Sequence, residues 1–573
     1  MARVRSSQTA TDTLPEQSPG AAEGWADRLR RFGYVPRPRT GLRDRLVPPY
    51  PEPGTGLWRY LGFDARTAAR LGRITGWAGP LLVAAFAGLL RFWNLGSPHA
   101  VIFDETYYAK DAWSLLHRGY ETSWPDGANE QILSGSIPLS DTASYVVHPP
   151  VGKWTIALGE WAFGLNPFGW RFAVALLGTL SVFLLCRIGR RLFRSTALGC
   201  LAGALLAVDG LHFVMSRTAL LDLVLMFWIL AAFGCLLVDR DRARARLAGA
   251  LRLSPDGVLR PDAETGRRLG LGPRPWRLAA GICLGLACAT KWNGLYVLAA
   301  FGILTVLWDA AARRTAGARQ PHRAMLRRDA LPAFVSLVPV SLAVYLVSWT
   351  GWFATSGGYY RDWADTAGAD SSFSWIPGPL RSLWHYSTEV YSFHVGLTEQ
   401  HSYQSNPWSW LVAARPVSFY YRSSDSGEDG CAHASGCARE VLALGTPALW
   451  WTACFALAYV VYRWLLRRDW RAGAVLCAVA AGYLPWFLYQ ERTIFYFYAV
   501  VLVPFLCLAV AMLIGALAGP PGCSERRRAR GLAAGGVLLL LVAWNFVYFH
   551  PLYTGAEIPM DAWRARMWFH TWI

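Results

Sequence analysis

Residues 218–246 read TALLDLVLMFWILAAFGCLLVDRDRARAR, an apolar run to Val238 broken by one charge, Asp222, and closed by Arg240, Arg242, Arg244 and Arg246. A helix needs roughly 20 mostly apolar residues to cross the hydrocarbon core of a bilayer, and this run supplies them. Arginines gathered just beyond such a run mark the cytoplasmic side. The stretch therefore reads as one membrane span ending in the cytoplasm.

About ten further runs repeat the pattern, near 76–95, 170–188, 197–213, 276–290, 293–309, 331–350, 447–465, 472–489, 493–517 and 532–549. The runs near 197–213, 276–290 and 293–309 are short or interrupted. Basic clusters occur in every second connection: Arg187, Arg190, Arg191 and Arg194; the four arginines after Val238; Arg313, Arg314, Arg323, Arg327 and Arg328; Arg463, Arg467, Arg468 and Arg471; Arg526, Arg527, Arg528 and Arg530. The expectation is an all-α polytopic membrane protein of about eleven transmembrane helices in a plasma (inner) membrane, with its N-terminus cytoplasmic and its C-terminus outside. Two long connections, about 96–169 and 351–446, then face outward. Both are rich in Trp, Tyr, Pro and Gly, and long ordered connections are usually functional.

Composition agrees. Of 573 residues, 54% are hydrophobic, 14% aromatic and 16% charged, with a mean hydropathy of +0.24. Soluble domains carry about a quarter charged residues. The net charge of +18 resides in the basic loops, and no nucleic-acid-binding fold accompanies it, so nucleic acid is not an expected partner. Residues 1–75 are polar and rich in Pro, Arg and Gly, without the apolar core of a cleaved signal peptide; they read as a disordered cytoplasmic tail preceding a transmembrane catalytic domain over 76–573. Most of the 11 cysteines lie singly in apolar runs. Cys431 and Cys437 fall in a polar outward loop, where a disulfide can form; two unpaired thiols are the alternative.

Chemistry-bearing residues recur on the outward side. Asp104-Glu105 follows the first span and opens a stretch with apolar residues at helical spacing. An acidic pair there can serve as a base at the membrane surface, or Asp104 can cap the helix and Glu105 favour its first turn. His148-Pro149-Pro150-Val151-Gly152-Lys153 sets a turn that can hold an imidazole and an ammonium together, with Lys153 a partner for phosphate. Arg171 stands at the outer end of the second span, as a phosphate clamp or a snorkelling anchor. Asp209, Arg217, Asp222, Lys291, Glu491 and Arg492 lie at or near other outer helix ends, where ionisable groups face a polar cavity or one another. No zinc-ligand spacing, phosphate-binding glycine loop or nucleophile elbow is present.

Taken together, Asp104-Glu105, His148-Pro149-Pro150-Val151-Gly152-Lys153, Trp170-Arg171-Phe172, Ser216-Arg217-Thr218-Ala219-Leu220-Leu221-Asp222 and Ala289-Thr290-Lys291-Trp292-Asn293-Gly294 resemble the protein O-mannosyltransferases, glycosyltransferases of the GT-C fold and family GT39. The 351–446 loop is too short for the β-trefoil insertion of eukaryotic members, so the chain is more similar to bacterial, particularly actinobacterial, ones. The resemblance implies transfer of mannose from a polyprenyl-monophosphate carrier to Ser or Thr of secreted proteins, with inversion at the anomeric carbon.

It further implies Asp104 or Glu105 as general base, with Asp104 preferred, and Lys153, Arg171, Arg217 and Lys291 as candidates to hold the donor phosphate. His148, Asp222 and Arg492 are further site candidates. The implied partners are the lipid-linked sugar donor, membrane lipids and a secreted polypeptide, met at the translocon. Beyond the donor no cofactor is implied, although a divalent cation stays open; no metal ligand set can be assigned. Two other readings remain: a lipid or polysaccharide acceptor for the same donor, or a transporter of a lipid-linked sugar. The gathering of charge on one side, and the lack of inverted repeats, weigh against the transporter.

Overall fold

The computed structural model describes residues 41–48, 62–255, 258–370, 373–520 and 523–573. Most of the tail expected over 1–75 lies outside these. Within it, Leu42–Leu46 forms a short helix with both leucines buried, and the first long helix, α1, runs Ala65–Phe92, beginning ahead of the apolar run. Asp64 starts α1 by accepting a hydrogen bond from the Thr67 amide at 2.6 Å.

Nine helices among the described residues are long and apolar enough to cross a membrane, and Thr196–Ala207 and Pro275–Cys288 are shorter apolar helices. The order that matters for the site is α1, α2 (Glu105–Arg118), α3 (Val151–Phe163), α4 (Pro167–Phe193), α5 (Thr196–Ala207), α6 (Gly210–Met215), α7 (Leu221–Ala250), α8 (Pro275–Cys288), α9 (Gly294–Thr315), α10 (Leu331–Ser348) and α11 (Gly378–Gly396). After a β-hairpin come α12 (Pro447–Leu465), α13 (Trp470–Tyr483), α14 (Val503–Leu517) and α15 (Glu525–Thr554).

Helices in a bilayer gain little from burying apolar faces against one another, so small residues that let backbones approach carry much of the packing. The α4–α5 pair uses this device through Gly199 and Gly203, spaced four apart. A Cβ on Gly199 would stand 2.4 Å from the Cys186 carbonyl oxygen, and one on Gly203 would stand 2.1 Å from the Cys186 sulfur. Neither position accepts a side chain without separating the helices.

The bundle has two chemically distinct ends. At one, Arg191 and Arg194 of the α4 terminus bond Asp241 of α7 at 2.8 and 3.1 Å, and Arg274 bonds both Asp239 and Asp309. Arg313 bonds Asp329 at 2.6 Å nearby in sequence. This is the basic end. The other, the loop end, gathers the starts of α4 and α7 together with α2, α3, α6 and α11. The second long connection also contains strands β1 (Val417–Ser424) and β2 (Cys437–Ala443), an antiparallel hairpin extended by Ile558–Pro559, which adds a small sheet to the all-helical expectation. Cys431 and Cys437 are disulfide-bonded.

Candidate active site

The loop end is organised by the turn before α2. Phe103 takes a left-handed backbone (φ 47°) and is held by its ring, stacked on Phe419 with centroids 4.5 Å apart and edge-on to Phe497 at 5.5 Å. A bulky residue in that region is strained and persists only where packing fixes it. The turn sends the two acids that follow in different directions.

Glu105 turns inward and is fully buried. Arg171 grips both its oxygens, Nε to Oε1 and Nη2 to Oε2, each at 2.8 Å. The Ile102 and Ala219 amides donate to the same carboxylate at 3.1 Å. Arg171 spends its other donors on the carbonyls of Leu95, Pro98 and Ala100. Every strong donor and acceptor in the pair is used, so this is an internal clamp joining α2, α4 and the start of α7, with nothing left for a phosphate.

Asp104 is different. It stands at the N-cap position of α2, yet its side chain makes no capping bond, and among the described residues no group donates a hydrogen bond to its carboxylate. It is half-buried. Burial holds its carboxyl up at about 6; the charge of Lys291 works against that shift and the charge of Asp222 adds to it.

Lys291 and Asp222 meet at 2.7 Å, Asp222 from the first turn of α7 and Lys291 from the turn between α8 and α9. The His-Pro-Pro turn joins them because the Val151 amide bonds the Ala289 carbonyl at 3.0 Å. Gly152 permits this approach, since a Cβ there would lie 2.6 Å from the Leu221 side chain. His148, Asp222 and Lys291 line one end of a cavity of about 330 Å³, together with Arg492 and His394.

Arg492 donates to His394 Nδ1 at 3.1 Å, and His394 Nε2–H donates to the Val147 carbonyl at 2.8 Å. That arrangement needs a neutral imidazole, consistent with burial and Arg492 pushing His394 down to about 4. Burial and the nearby Lys291 likewise push His148, which stacks on His394 at 5.2 Å, well below its ordinary range. The cavity's positive charge is therefore that of Lys291 and Arg492. Arg492 Nε and Asn293 Oδ1 are buried without a partner at this wall, and such groups call for an explanation. The remaining walls are aromatic and apolar, including Trp292, Tyr296, Trp486, Tyr489, Tyr498 and Leu295.

Two other expected phosphate ligands also point elsewhere. Lys153 is buried in an ion pair with Glu121. Arg217 caps α1, donating to the carbonyls of Arg91 and Trp93 at 2.7 Å and of Asn94 at 2.9 Å. With Arg171 in its clamp, three of the four expected cations are held by partners away from the cavity, and Lys291, itself paired with Asp222, is the one of the four that lines it. Asp209 starts α6 and accepts from Trp450 Nε1 at 2.7 Å, while Glu491 is exposed and does not line the cavity. Trp292, from the Ala289–Gly294 motif, lines the cavity as well, and His394 and Tyr498, which carry no local motif, complete it. Among the described residues no cluster of three or more His, Cys, Asp or Glu could hold a metal ion.

A cationic, imidazole-lined end opening between apolar and aromatic walls can hold a molecule with an anionic head, a polar ring and an apolar tail. The comparisons specify the family. The model described as dolichyl-phosphate-mannose-protein mannosyltransferase matches residues 81–254 and 267–354, and the C-terminal four TMM region of protein-O-mannosyltransferase matches residues 379–572. A polyprenol-phosphate-mannose–protein mannosyltransferase of Mycolicibacterium smegmatis is 43% identical over 512 residues, covering 88% of this chain and 94% of that protein. The chain belongs to the protein O-mannosyltransferase family.

Its Mycobacterium tuberculosis counterpart is 40% identical over 511 residues, covering 88% of this chain and 93% of that one. The Saccharomyces cerevisiae protein O-mannosyltransferase Pmt1-Pmt2 complex bound to the sugar donor superposes with a TM-score of 0.63 at 15% identity, covering 87% of this chain and 92% of that chain. That likeness is one of fold. This protein O-mannosyltransferase is thus a multi-pass membrane glycosyltransferase of the GT-C class.

Proposed function

We propose that the chain transfers mannose from a polyprenyl-monophosphate carrier to a Ser or Thr hydroxyl of a secreted polypeptide, inverting the anomeric carbon, with Asp104 as general base. The observation that carries the assignment is the unbonded Asp104 carboxylate beside the Lys291–Asp222 pair, against a Glu105 closed off by Arg171. The relatives' names supply the donor and acceptor classes.

The donor phosphate sits against Lys291 and Arg492, and its polyprenyl chain follows the apolar wall around Leu295. Aromatic faces such as Trp292 bracket the sugar. Asp104 takes the proton from the acceptor hydroxyl as that oxygen bonds to C1 on the face opposite the phosphate. The C1–O bond to phosphate breaks, and its electron pair leaves with the polyprenyl phosphate. A phosphate monoester has a second pKa of about 6, so it departs without a separate acid, and the two cations stabilise the charge it gains. A base held near 6 is better matched to neutral pH than an ordinary aspartate.

The loop end faces out of the cell in this reading, the basic end faces the cytoplasm, and the membrane is the plasma membrane, where acceptors emerge from the translocon. The basic clusters of alternate connections support that orientation, as does the disulfide at the loop end. The test is purified enzyme with labelled polyprenyl-phosphate-mannose and a Ser/Thr peptide. Mannosylated peptide of inverted configuration is expected. Retained configuration, or transfer to lipid in place of peptide, overturns the reading.

A further inference from the structure

At the basic end, α4, α7 and the start of α8 line a second cavity of about 700 Å³, with none of its lining residues shared with the site above. Arg187, Arg190, Arg191, Arg194 and Arg242 line it, against a single acid among the described residues, Asp241. Deeper in the membrane-spanning stretch its wall is Leu184, Ile188, Ala231, Gly234 and Val238. The segment Leu46–Pro48 forms the lip and is pinned in place by Arg244, which donates to the carbonyls of Leu46 at 3.0 Å and Arg45 at 3.2 Å.

Arginines at this end are expected from topology alone, and that accounts for their number. It does not account for a cavity that joins them to an apolar wall, nor for how some of them are held. Arg191 and Arg194 share Asp241. Arg187 donates to the Gly76 carbonyl at 2.7 Å and stacks 3.7 Å above Trp77. Arg242 is exposed and meets the Trp276 ring at 5.3 Å. Among the described residues the lining carries five arginines and one aspartate, at the basic ends of α4 and α7 and continuous with the apolar wall.

We propose that this cavity binds an anionic phospholipid of the leaflet at the basic end, its phosphate among these arginines and an acyl chain along Leu184, Ile188, Ala231 and Val238. A free phosphate shares the headgroup chemistry but gains nothing from that wall, whereas a zwitterionic lipid shares the wall and lacks the net charge. Basic pockets between transmembrane helices recognise lipid phosphates through this combination.

Native mass spectrometry of the full-length purified chain tests it, using cardiolipin, phosphatidylglycerol and phosphatidylcholine of matched chains as probes. Both anionic lipids should be retained in preference to phosphatidylcholine. Arg242→Gln and Arg191→Gln should each lower retention about fivefold. Ala231→Phe, which fills the wall and alters no charge, should lower it as well; Arg242→Gln, at an exposed position, keeps the test open should Ala231→Phe fail to fold. Equal retention of anionic and zwitterionic lipid overturns the proposal. So does millimolar inorganic phosphate displacing the lipid while Ala231→Phe binds as the parent does, since the cavity would then be a site for a free anion.

Discussion

Arg171 holds both carboxylate oxygens of Glu105 at 2.8 Å in a fully buried clamp, and the acid beside it in sequence, Asp104, is the one whose carboxylate accepts no hydrogen bond among the described residues. Two adjacent carboxylates have thereby been given separate tasks. The first prediction follows. Asp104→Asn should lower kcat by about 10²–10⁴-fold, the usual contribution of a positioned base, and leave the thermal midpoint of the purified enzyme unchanged. Glu105→Gln should lower that midpoint instead, because it leaves Arg171 as an uncompensated buried charge, at a cost of about 3–5 kcal/mol. Near-normal kcat in Asp104→Asn would remove the base assignment.

The pH profile should carry the same residue's signature. Burial holds the Asp104 carboxyl up at about 6, so it is protonated below that pH and cannot accept the hydroxyl proton. Raised in this way, the group costs activity on the acid side. Transfer should fall about tenfold per pH unit below the midpoint and level off above it. Values of kcat/KM between pH 5 and 8, measured with donor and peptide well below saturation so that the free enzyme is reported, would show the limb; a flat profile through this range would mean that another group, or none, takes the proton.

Why some of this was legible in the sequence and some not has a physical explanation. The apolar runs map onto helices because bilayer thickness sets a length that sequence displays directly, and even the short runs near 197–213 and 276–290 correspond to helices of 12 and 14 residues. The motifs held His148, Asp222 and Lys291, which line one cavity, and the outer-end charges included Arg492, which lines it too; Asp104 stands near the Lys291–Asp222 pair without lining it. What sequence could not sort was which cations face a ligand. Arg171, Lys153 and Arg217 look the same as Lys291 when written in a line, and all four meet partners from elsewhere in the chain; they differ in that the Lys291–Asp222 pair lines the cavity and the other three sets of contacts do not. Arg217 reaches α1 across more than 120 residues, a separation no local pattern encodes. His394, Tyr498 and the aromatic walls other than Trp292 were missed for the same reason.

The Cys431–Cys437 bond staples the turn of the β-hairpin, closing a sequence separation of six. Chain-entropy arguments value so short a loop at about 2 kcal/mol, or about 30-fold in how often the hairpin opens. The double variant Cys431→Ala/Cys437→Ala should therefore be cleaved faster by a protease acting between Asp425 and Gly436, with uncut enzyme still able to transfer. Peptide mapping without reductant would report the bond, and unchanged cleavage kinetics would show that the strand pairing holds the turn unaided.

The last prediction separates cations that bind from cations that build. Arg492 lines the cavity with its Nε unpaired among the described residues, while its guanidinium donates to His394 through Nη2. Arg492→Met should raise the donor KM by about 10–100-fold, the range expected for losing a hydrogen bond to a charged group, with only a small change in thermal midpoint. Lys153→Met and Arg217→Met should do the reverse. The first strands Glu121 without its partner and the second leaves the terminal carbonyls of α1 unbonded, so both should lower the midpoint and leave donor KM close to that of the parent. Donor titrations and thermal melts on the three variants settle the matter: should Lys153→Met or Arg217→Met raise donor KM at unchanged midpoint, those side chains leave their internal partners when the donor binds, and the assignment of phosphate contacts to Lys291 and Arg492 would have to be widened.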